Sequence, residues 1–502
     1  MFASVLSAAI RGMEVCPIYV EADVSDGLPS FTMVGFPSTQ VREAQDRVRT
    51  AIRNSEITLP PKRITVNLLP TDMKKEGAGF DLPVAAAILS ASGMIPTDCL
   101  RKVMIVGELS LNGAVNAVSG ILPRIIRARE LGCRYCIIPH DNLKEASLVE
   151  DMPLIGVKTL QDMLQGLSCP SYSEPMRIEE MESICNDAVD FEEIIGQENV
   201  KRAAEIAVSG FHNFMMTGTP GSGKTMIARR IPTIMPDLSF DEKLELTKIY
   251  SVAGLLSREQ PLIQIRPFRS PHHTTTASAL SGGGFVPRPG EITLSHRGVL
   301  FLDEMPEFSR RSLEVLRQPL EDKNLHIARV GGTYTFPANF MLVAAMNPCP
   351  CGYYPNAKCQ CSFHDIKRYQ GKISRPLLDR IDLCVEVPEV NYEELLKKSK
   401  GESSAQIRQR VERVLQIQKE RYKSEGICFN GELHGSQVEK YCVFTKEADT
   451  VIEDAFRKMN LSARGYHRVL KVARTIADME MSEQIERKHM LEALSYRSLD
   501  RN

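Results

Sequence analysis

Apolar residues recur along the chain at two spacings, and the change between them outlines the elements. Val41, Ala44, Val48, Ala51 and Ile52 fall on one stripe at helical spacing, which predicts a helix from Val41 to Asn54. Pro17 to Val24 and Arg63 to Leu68 are rich in β-branched residues and predict strands. Asp81 to Ala91 is Ala-rich and predicts a helix that tolerates Pro83 in its first turn. Ile121 to Leu131 predicts another, closed by Gly132. Further on, Phe214 to Thr217, Val299 to Leu302 and Phe340 to Ala345 are short apolar runs bounded by turn residues, the pattern of buried parallel strands. Beyond Asn391 strand patterns stop. Glu393 to Tyr422 and Lys446 to Leu494 read as helices rich in Arg, Lys and Glu.

The fold class expected from this order is α/β, in several domains for 502 residues. Ser173 to Glu193 carries eight acids against Arg177 alone, with Pro170 and Pro175 at its start. Such a stretch buries little apolar surface and reads as a linker. The expected division is an α+β unit at 1–170, an acidic linker at 171–190, an α/β unit at 191–392 and a helical unit at 393–502. Charge excludes a globally basic nucleic-acid binder, since 62 Lys and Arg meet 63 Asp and Glu. No apolar run reaches the ~18–20 residues of a membrane span, and no basic leader precedes Arg11. Thirteen cysteines, most of them single within apolar runs, suit reduced thiols. The expectation is a cytoplasmic protein.

Gly218–Thr225 (GTPGSGKT) fits G-x-x-x-x-G-K-[ST] in full, between an apolar strand and a helix. Gly218, Gly221 and Gly223 let backbone N–H groups of Thr219, Ser222 and their neighbours turn around one anion; Pro220, in the same stretch, has no N–H and shapes the turn. Lys224 is expected to reach the β- and γ-phosphates of ATP, and Thr225 to offer its hydroxyl to Mg2+. The run Val299 to Leu302 ends in Asp303 and Glu304. Asp303 is the second expected Mg2+ group, and Glu304 the general base for an attacking water. Asn347 ends the third apolar run, where its amide could meet the γ-phosphate; the competing reading is an Asn-Pro turn with Pro348.

This constellation resembles the AAA+ ATPases, and within them the helix-2-insert branch that includes the magnesium-chelatase ATPase subunit and the MCM helicases. Ser374 to Asp382 (SRPLLDRID) resembles that branch's arginine-finger segment, and Leu461 to Leu470 (LSARGYHRVL) its second-sensor helix. The resemblance implies that Arg380 reaches into a neighbouring subunit's site. It also implies that Arg464, with Arg468 as alternative, couples the helical lid at 393–502 to the nucleotide. Basic stretches at Arg258 to Arg297 and Leu461 to Ala477 are candidates for a phosphate backbone, the former with room for hairpins facing a pore. The competing reading is that their arginines pair with acids across subunit interfaces.

Four further stretches, VREAQDRVR at 41–49, KKEGAGFDLP at 74–83, RPFRSPHH at 266–273 and VARTIA at 472–477, resemble the ComM/YifB family. That resemblance implies a Lon-protease-like domain at 1–170. The Ser of the Lon Ser–Lys pair falls at Gly79 and the Lys at Leu122, so an inactive protease scaffold is expected. The implied function is a homo-hexameric ATP-driven motor on branched or single-stranded DNA. Such a motor would act without sequence preference, in branch migration of incoming DNA, alongside recombination proteins and away from membranes. The alternative is a chelatase-type chaperone that remodels a protein partner.

Cys349-Pro-Cys351 and Cys359-Gln-Cys361 place four thiols in a Gly/Pro/Tyr/Asn loop. They are candidate Zn2+ ligands, with His364 as a substitute.

Overall fold

The computed structural model describes residues 1–173, 189–257, 259–284, 286–329, 332–389, 401–459 and 461–497. Most of the expected acidic linker, 174–188, lies outside them. Its end does not behave as linker. Phe191 is buried, its N–H donates to Ser404 Oγ at 2.8 Å, and Asp190 accepts from Ser404 N at 2.9 Å. Burial of one aromatic ties this segment to the C-terminal helices despite the surrounding acids.

The first sheet has seven strands: β1 (Phe2–Arg11), β2 (Glu14–Ser25), β3 (Ser30–Val34), β4 (Arg63–Leu69), β5 (Val103–Ile105), β8 (Tyr135–Pro139) and β9 (Leu154–Val157). A small hairpin, β6 (Glu108–Leu109) with β7 (Val115–Asn116), stands beside it. The order is β3-β4-β2-β1-β5-β8-β9, antiparallel across β1/β2 and β2/β4 and parallel elsewhere. The helix Thr39–Asn54 buries the predicted stripe, and Ser38 caps it by accepting from Val41 N. The helix Asp81–Ala91 has every residue buried. Its apolar run is long because it is enclosed on all sides, and among the described residues no helix is long and apolar enough to cross a membrane.

The second sheet is wholly parallel. It comprises β10 (Phe214–Gly218), β11 (Phe268–Arg269), β12 (Val299–Leu302), β15 (Met341–Met346) and β16 (Leu383–Val387), in the order β11-β12-β15-β10-β16. Helices cover both faces, which explains the unbroken apolar runs. Hairpins were expected between Lys224 and Asp303. There the described residues hold helices, the two-residue β11 and a single bridge, Gly283 to Arg288. The two-stranded hairpin is instead β13 (Asn324–Arg329) with β14 (Gly332–Pro337), whose Leu325, Ile327, Tyr334 and Phe336 are buried. Its alternation is broken by charge at the tip, so the sequence reading passed over it. After β16 the described residues form helices, chiefly Ser404–Arg421, Lys446–Lys458, Ala463–Met479 and Arg487–Ser495.

The two halves touch. Gly120 N donates to Ser251 O at 2.9 Å, and Ser251 Oγ bonds the half-buried Glu145 carboxylate.

Candidate functional site

In a parallel sheet, the loops that follow the strands gather at one edge. β10, β15 and β12 lie side by side with Met216 opposite Ala345 and Leu302 opposite Ala344. The glycine loop, Asn347 and Asp303 therefore emerge together, with the Asn347 strand between the other two. Gly221 and Gly223 have φ of +81° and +90°, left-handed values that a side chain would resist. They bend the loop into the start of the helix Lys224–Ile234. Lys224 is buried and its Nζ donates to Gly218 O and Thr219 O, both at 2.8 Å, with Asn347 Oδ1 at 3.4 Å. Burial lowers the Lys224 pKa, while the carboxylates of Asp303 and Glu304 oppose that shift. Thr225 Oγ1 donates to Asp303 Oδ2 at 2.7 Å. A hydroxyl and a carboxylate converging beside a phosphate cradle form an oxygen donor set that suits Mg2+.

Glu304 follows on a backbone with φ of +49°, more than half exposed, with His273 Nδ1 at 3.7 Å from its carboxylate. His273 was not foreseen at the site, nor was Gln197. The Gln197 amide donates to Ser222 O at 2.8 Å and to Pro388 O at 3.2 Å, tying the loop to the chain after β16. Gln197 lies in no motif, and His273 ends the RPFRSPHH stretch, which carries no spacing to the glycine loop; only the fold brings them close.

The two arginines lie elsewhere. Asn213 and Asp382 precede β10 and β16, and Asn213 N donates to Asp382 Oδ2 at 2.9 Å. They mark the opposite edge of the sheet, about 16 Å from the glycine loop at ~3.3 Å per residue of β10. Arg380 and Arg464 are both at this edge and share one carboxylate. Arg380 Nη2 bonds Glu321, and Arg464 Nη2 reaches Glu321 Oε1 at 3.1 Å. Arg464 is therefore remote from the Lys224 of its own chain. Arg468 is no solvated helix charge. It is largely buried at 3.6 Å from Asp382, whose own pKa burial would raise but which Arg468 and His212 hold low.

Much of the expected basic surface is internal. Arg266 is buried and donates to Pro236 O and Arg297 O. Arg269 grips Glu291 with two hydrogen bonds of 2.7 and 2.8 Å, and Arg297 pairs with Glu245. On the helix Ala463–Met479, Lys471 donates to Gly431 O and Arg474 is enclosed with Asp478. These side chains all find partners within the chain. Arg258 lies outside the described residues. Arg288 and Arg329 are exposed.

At the positions matched to the Lon pair, Gly79 faces Val106, Val118 and the Arg124 guanidinium, and Leu122 is fully buried. Arg124 donates to Ala8 O and Ser119 O, and burial lowers its pKa to about 10. The four loop thiols converge, with all four Sγ atoms within 4.8 Å of one another; His364 is not in that group.

A parallel five-stranded sheet with a glycine-loop lysine, an Asp-Glu strand and a helical C-terminal part defines an α/β AAA+ protein of the magnesium-chelatase type. Family models agree along the chain. One described as magnesium chelatase, subunit ChlI, matches residues 190–395; subunit ChlI of Mg-chelatase matches 20–142; and the ChlI C-terminal model matches 401–497. The YifB protein of Salmonella typhimurium is 42% identical over 501 residues, covering 99% of this chain and 97% of its own. Competence protein ComM of Haemophilus influenzae is 42% identical over 506 residues, covering 99% and 98%. Lon protease 2 of Bacillus subtilis is 29% identical over 163 residues, 30% of this chain and 29% of its own. The chain belongs to the ComM/YifB family.

Proposed function

We propose that the protein is an ATP-dependent ring motor that acts on DNA, with branch migration of incoming strands as its task. One observation carries the assembly: the cradle with Lys224, Thr225, Asp303 and Asn347 sits at one edge of the sheet, and Arg380 with Arg464 at the other. A nucleotide held by one copy then gains its arginines from the next, which is a head-to-tail contact that closes into a ring. Six copies follow from the family resemblance. Thr225 and Asp303 hold Mg2+, which neutralises phosphate charge. Glu304 takes the proton of the attacking water, with His273 beside it, and Asn347 orients the terminal phosphate. Arg380 faces the charge that develops there.

The competence name of the Haemophilus relative supports the choice of DNA as partner, together with the exposed Arg288 and Arg329, which could follow a phosphate backbone without reading bases. The Lon-like part at 1–170 serves assembly or DNA contact rather than peptide cleavage, because Gly79 supplies no nucleophile and Leu122 no base. The test is steady-state ATP hydrolysis with and without a four-way DNA junction, at several salt concentrations. Turnover that rises with the junction, falls with salt and disappears in Glu304→Gln supports the reading. A turnover indifferent to every DNA sinks it.

The magnesium-chelatase models that cover three stretches of the chain favour a second reading, a chaperone ATPase that remodels a protein partner. Stimulation by a protein and not by DNA would select it.

A further inference from the structure

Asn347 follows β15 directly, and the chain then runs through a loop to the helix Phe363–Gln370 before reaching Arg380. The loop has almost no apolar burial of its own. Tyr353 and Tyr354 are exposed, and Cys351, Cys359 and Cys361 are only half-buried. Its fold is a set of tight turns, including Gly352 N to Cys349 O at 3.0 Å and Cys359 N to Asn356 O at 2.9 Å. A loop with these turns and no core needs another brace.

The thiols supply the place for one. Cys349 Sγ lies 3.4 Å from Cys351 Sγ and 3.7 Å from Cys359 Sγ, and Cys351 to Cys359 is 3.6 Å. With Zn–S bonds of ~2.3 Å, the edges of a tetrahedral tetrathiolate are about 3.8 Å. The observed spacings are near that edge and far above the ~2.05 Å of a disulfide. Disulfides would also draw the sulfurs together two at a time, whereas here all four lie within 4.8 Å of one another. Tyr354 N–H points to Cys349 Sγ at 3.4 Å, the outer-shell contact that thiolate ligands favour. No Asp or Glu stands between Cys349 and Cys361 to compete.

The same loop lies against the phosphate cradle. Gly352 has φ of +84°, and a Cβ placed on it would come within 2.5 Å of Pro220 Cδ. Its backbone is thus in direct contact with the glycine loop, at a point where no side chain fits. At the loop's start, Asn347 Oδ1 faces Lys224, and Gln370 Nε2 holds Pro348 O at 3.1 Å.

We propose that Cys349, Cys351, Cys359 and Cys361 bind one Zn2+ as a tetrathiolate, and that this site holds the loop against Pro220 so that nucleotide affinity depends on zinc. The second half rests on the ATP reading above; the first half does not. Zinc acts here as a brace and takes no part in the chemistry, so its loss raises the KM for ATP and leaves kcat largely intact.

Two measurements test this on the full chain. Elemental analysis of protein purified without chelators should find about one zinc per chain. The paired variant Cys359→Ser/Cys361→Ser should lose it, and Cys361→His should keep it. A fluorescent ATP analogue should bind about tenfold more weakly to the serine variant, the scale of loss expected when the support of a site is removed. Gly352→Ala keeps all four thiols; it should retain zinc and still bind the analogue more weakly, which a misfolded loop would not reproduce. Absence of zinc, or an iron absorbance in its place, overturns the metal assignment even if ATP binds normally. Full zinc in the wild type, with nucleotide affinity unchanged both in the zinc-free serine variant and in Gly352→Ala, overturns the coupling. Failure of the wild-type chain to bind nucleotide strikes the ATP reading and the coupling with it, and leaves the zinc count as a separate result.

Discussion

Lys224→Ala removes the cation at the centre of the cradle. Its ammonium donates to two backbone carbonyls at 2.8 Å, those of Gly218 and Thr219. Binding a triphosphate requires Nζ to leave them. A charged hydrogen bond to a phosphate contributes about 1.5–3 kcal/mol, and each carbonyl bond surrendered costs about 1 kcal/mol. Two phosphate contacts less two carbonyl bonds leave about 1–4 kcal/mol. At ~1.4 kcal/mol per tenfold, the central expectation is a nucleotide affinity about a hundredfold weaker. The fold should lose no more than about 1–3 kcal/mol, because the buried Gly218 carbonyl is left without its donor while water reaches that of the half-buried Thr219, next to the exposed Pro220 and Gly221. The assay is titration with a fluorescent ATP analogue at fixed Mg2+, paired with a urea midpoint of the nucleotide-free chain. Unchanged affinity in a folded variant would refute the assignment of the cradle, since no other buried cation faces it among the described residues.

Other outcomes follow from the same geometry. Asp303→Asn should leave the Thr225 hydroxyl a neutral partner and raise the Mg2+ concentration needed for half-maximal hydrolysis by about tenfold or more, read from a Mg2+ titration. Asp382→Asn should strand Arg468 near Lys471 and His212 and destabilise the chain by about 3–5 kcal/mol in urea, because a buried cation then lacks its carboxylate. His212 is fully enclosed, with Nε2 at 2.7 Å from Thr475 Oγ1, and burial lowers its pKa to about 4. Unfolded chains take up that proton near pH 6.5 while folded ones do not, so stability should fall as pH drops from about 6.5 to about 4, and His212→Phe should flatten the slope. Neither the wild type nor Gly79→Ser should degrade casein, because Leu122 leaves any serine there without a base.

The sequence was most informative where periodicity and fixed spacing coincide. The stripe from Val41 to Ile52, the Asp81 helix and the three apolar runs with their terminal Lys224, Asp303 and Asn347 are all short-range signals. Each owes its form to one sheet or one helix face. Charge was read less well. Arg266, Arg269, Arg297, Lys471 and Arg474 look like a nucleic-acid surface in one dimension, yet the first four meet a carbonyl or carboxylate distant in the chain, and Arg474 turns in on Asp478 one helical turn away. Glu321 gathers Arg380 and Arg464 only because the hairpin segment and the last long helices meet at the far edge of the sheet. No spacing rule reveals such a contact, and for the same reason none places His273 beside Glu304 or Gln197 beside the glycine loop. The Cys loop was legible as composition, but its seat on Pro220 depends on the left-handed turn at Gly352.

The shared site between copies is tested most directly by mixing two inactive chains. Lys224→Ala has no working cradle but keeps Arg380, and Arg380→Ala keeps the cradle but offers no arginine. Each alone should hydrolyse ATP poorly. Reassembled together at equal amounts, about a quarter of head-to-tail contacts should join a sound cradle to a sound arginine, and hydrolysis should return in proportion. Mixed assemblies that form and yet stay as inactive as their parents would contradict the account.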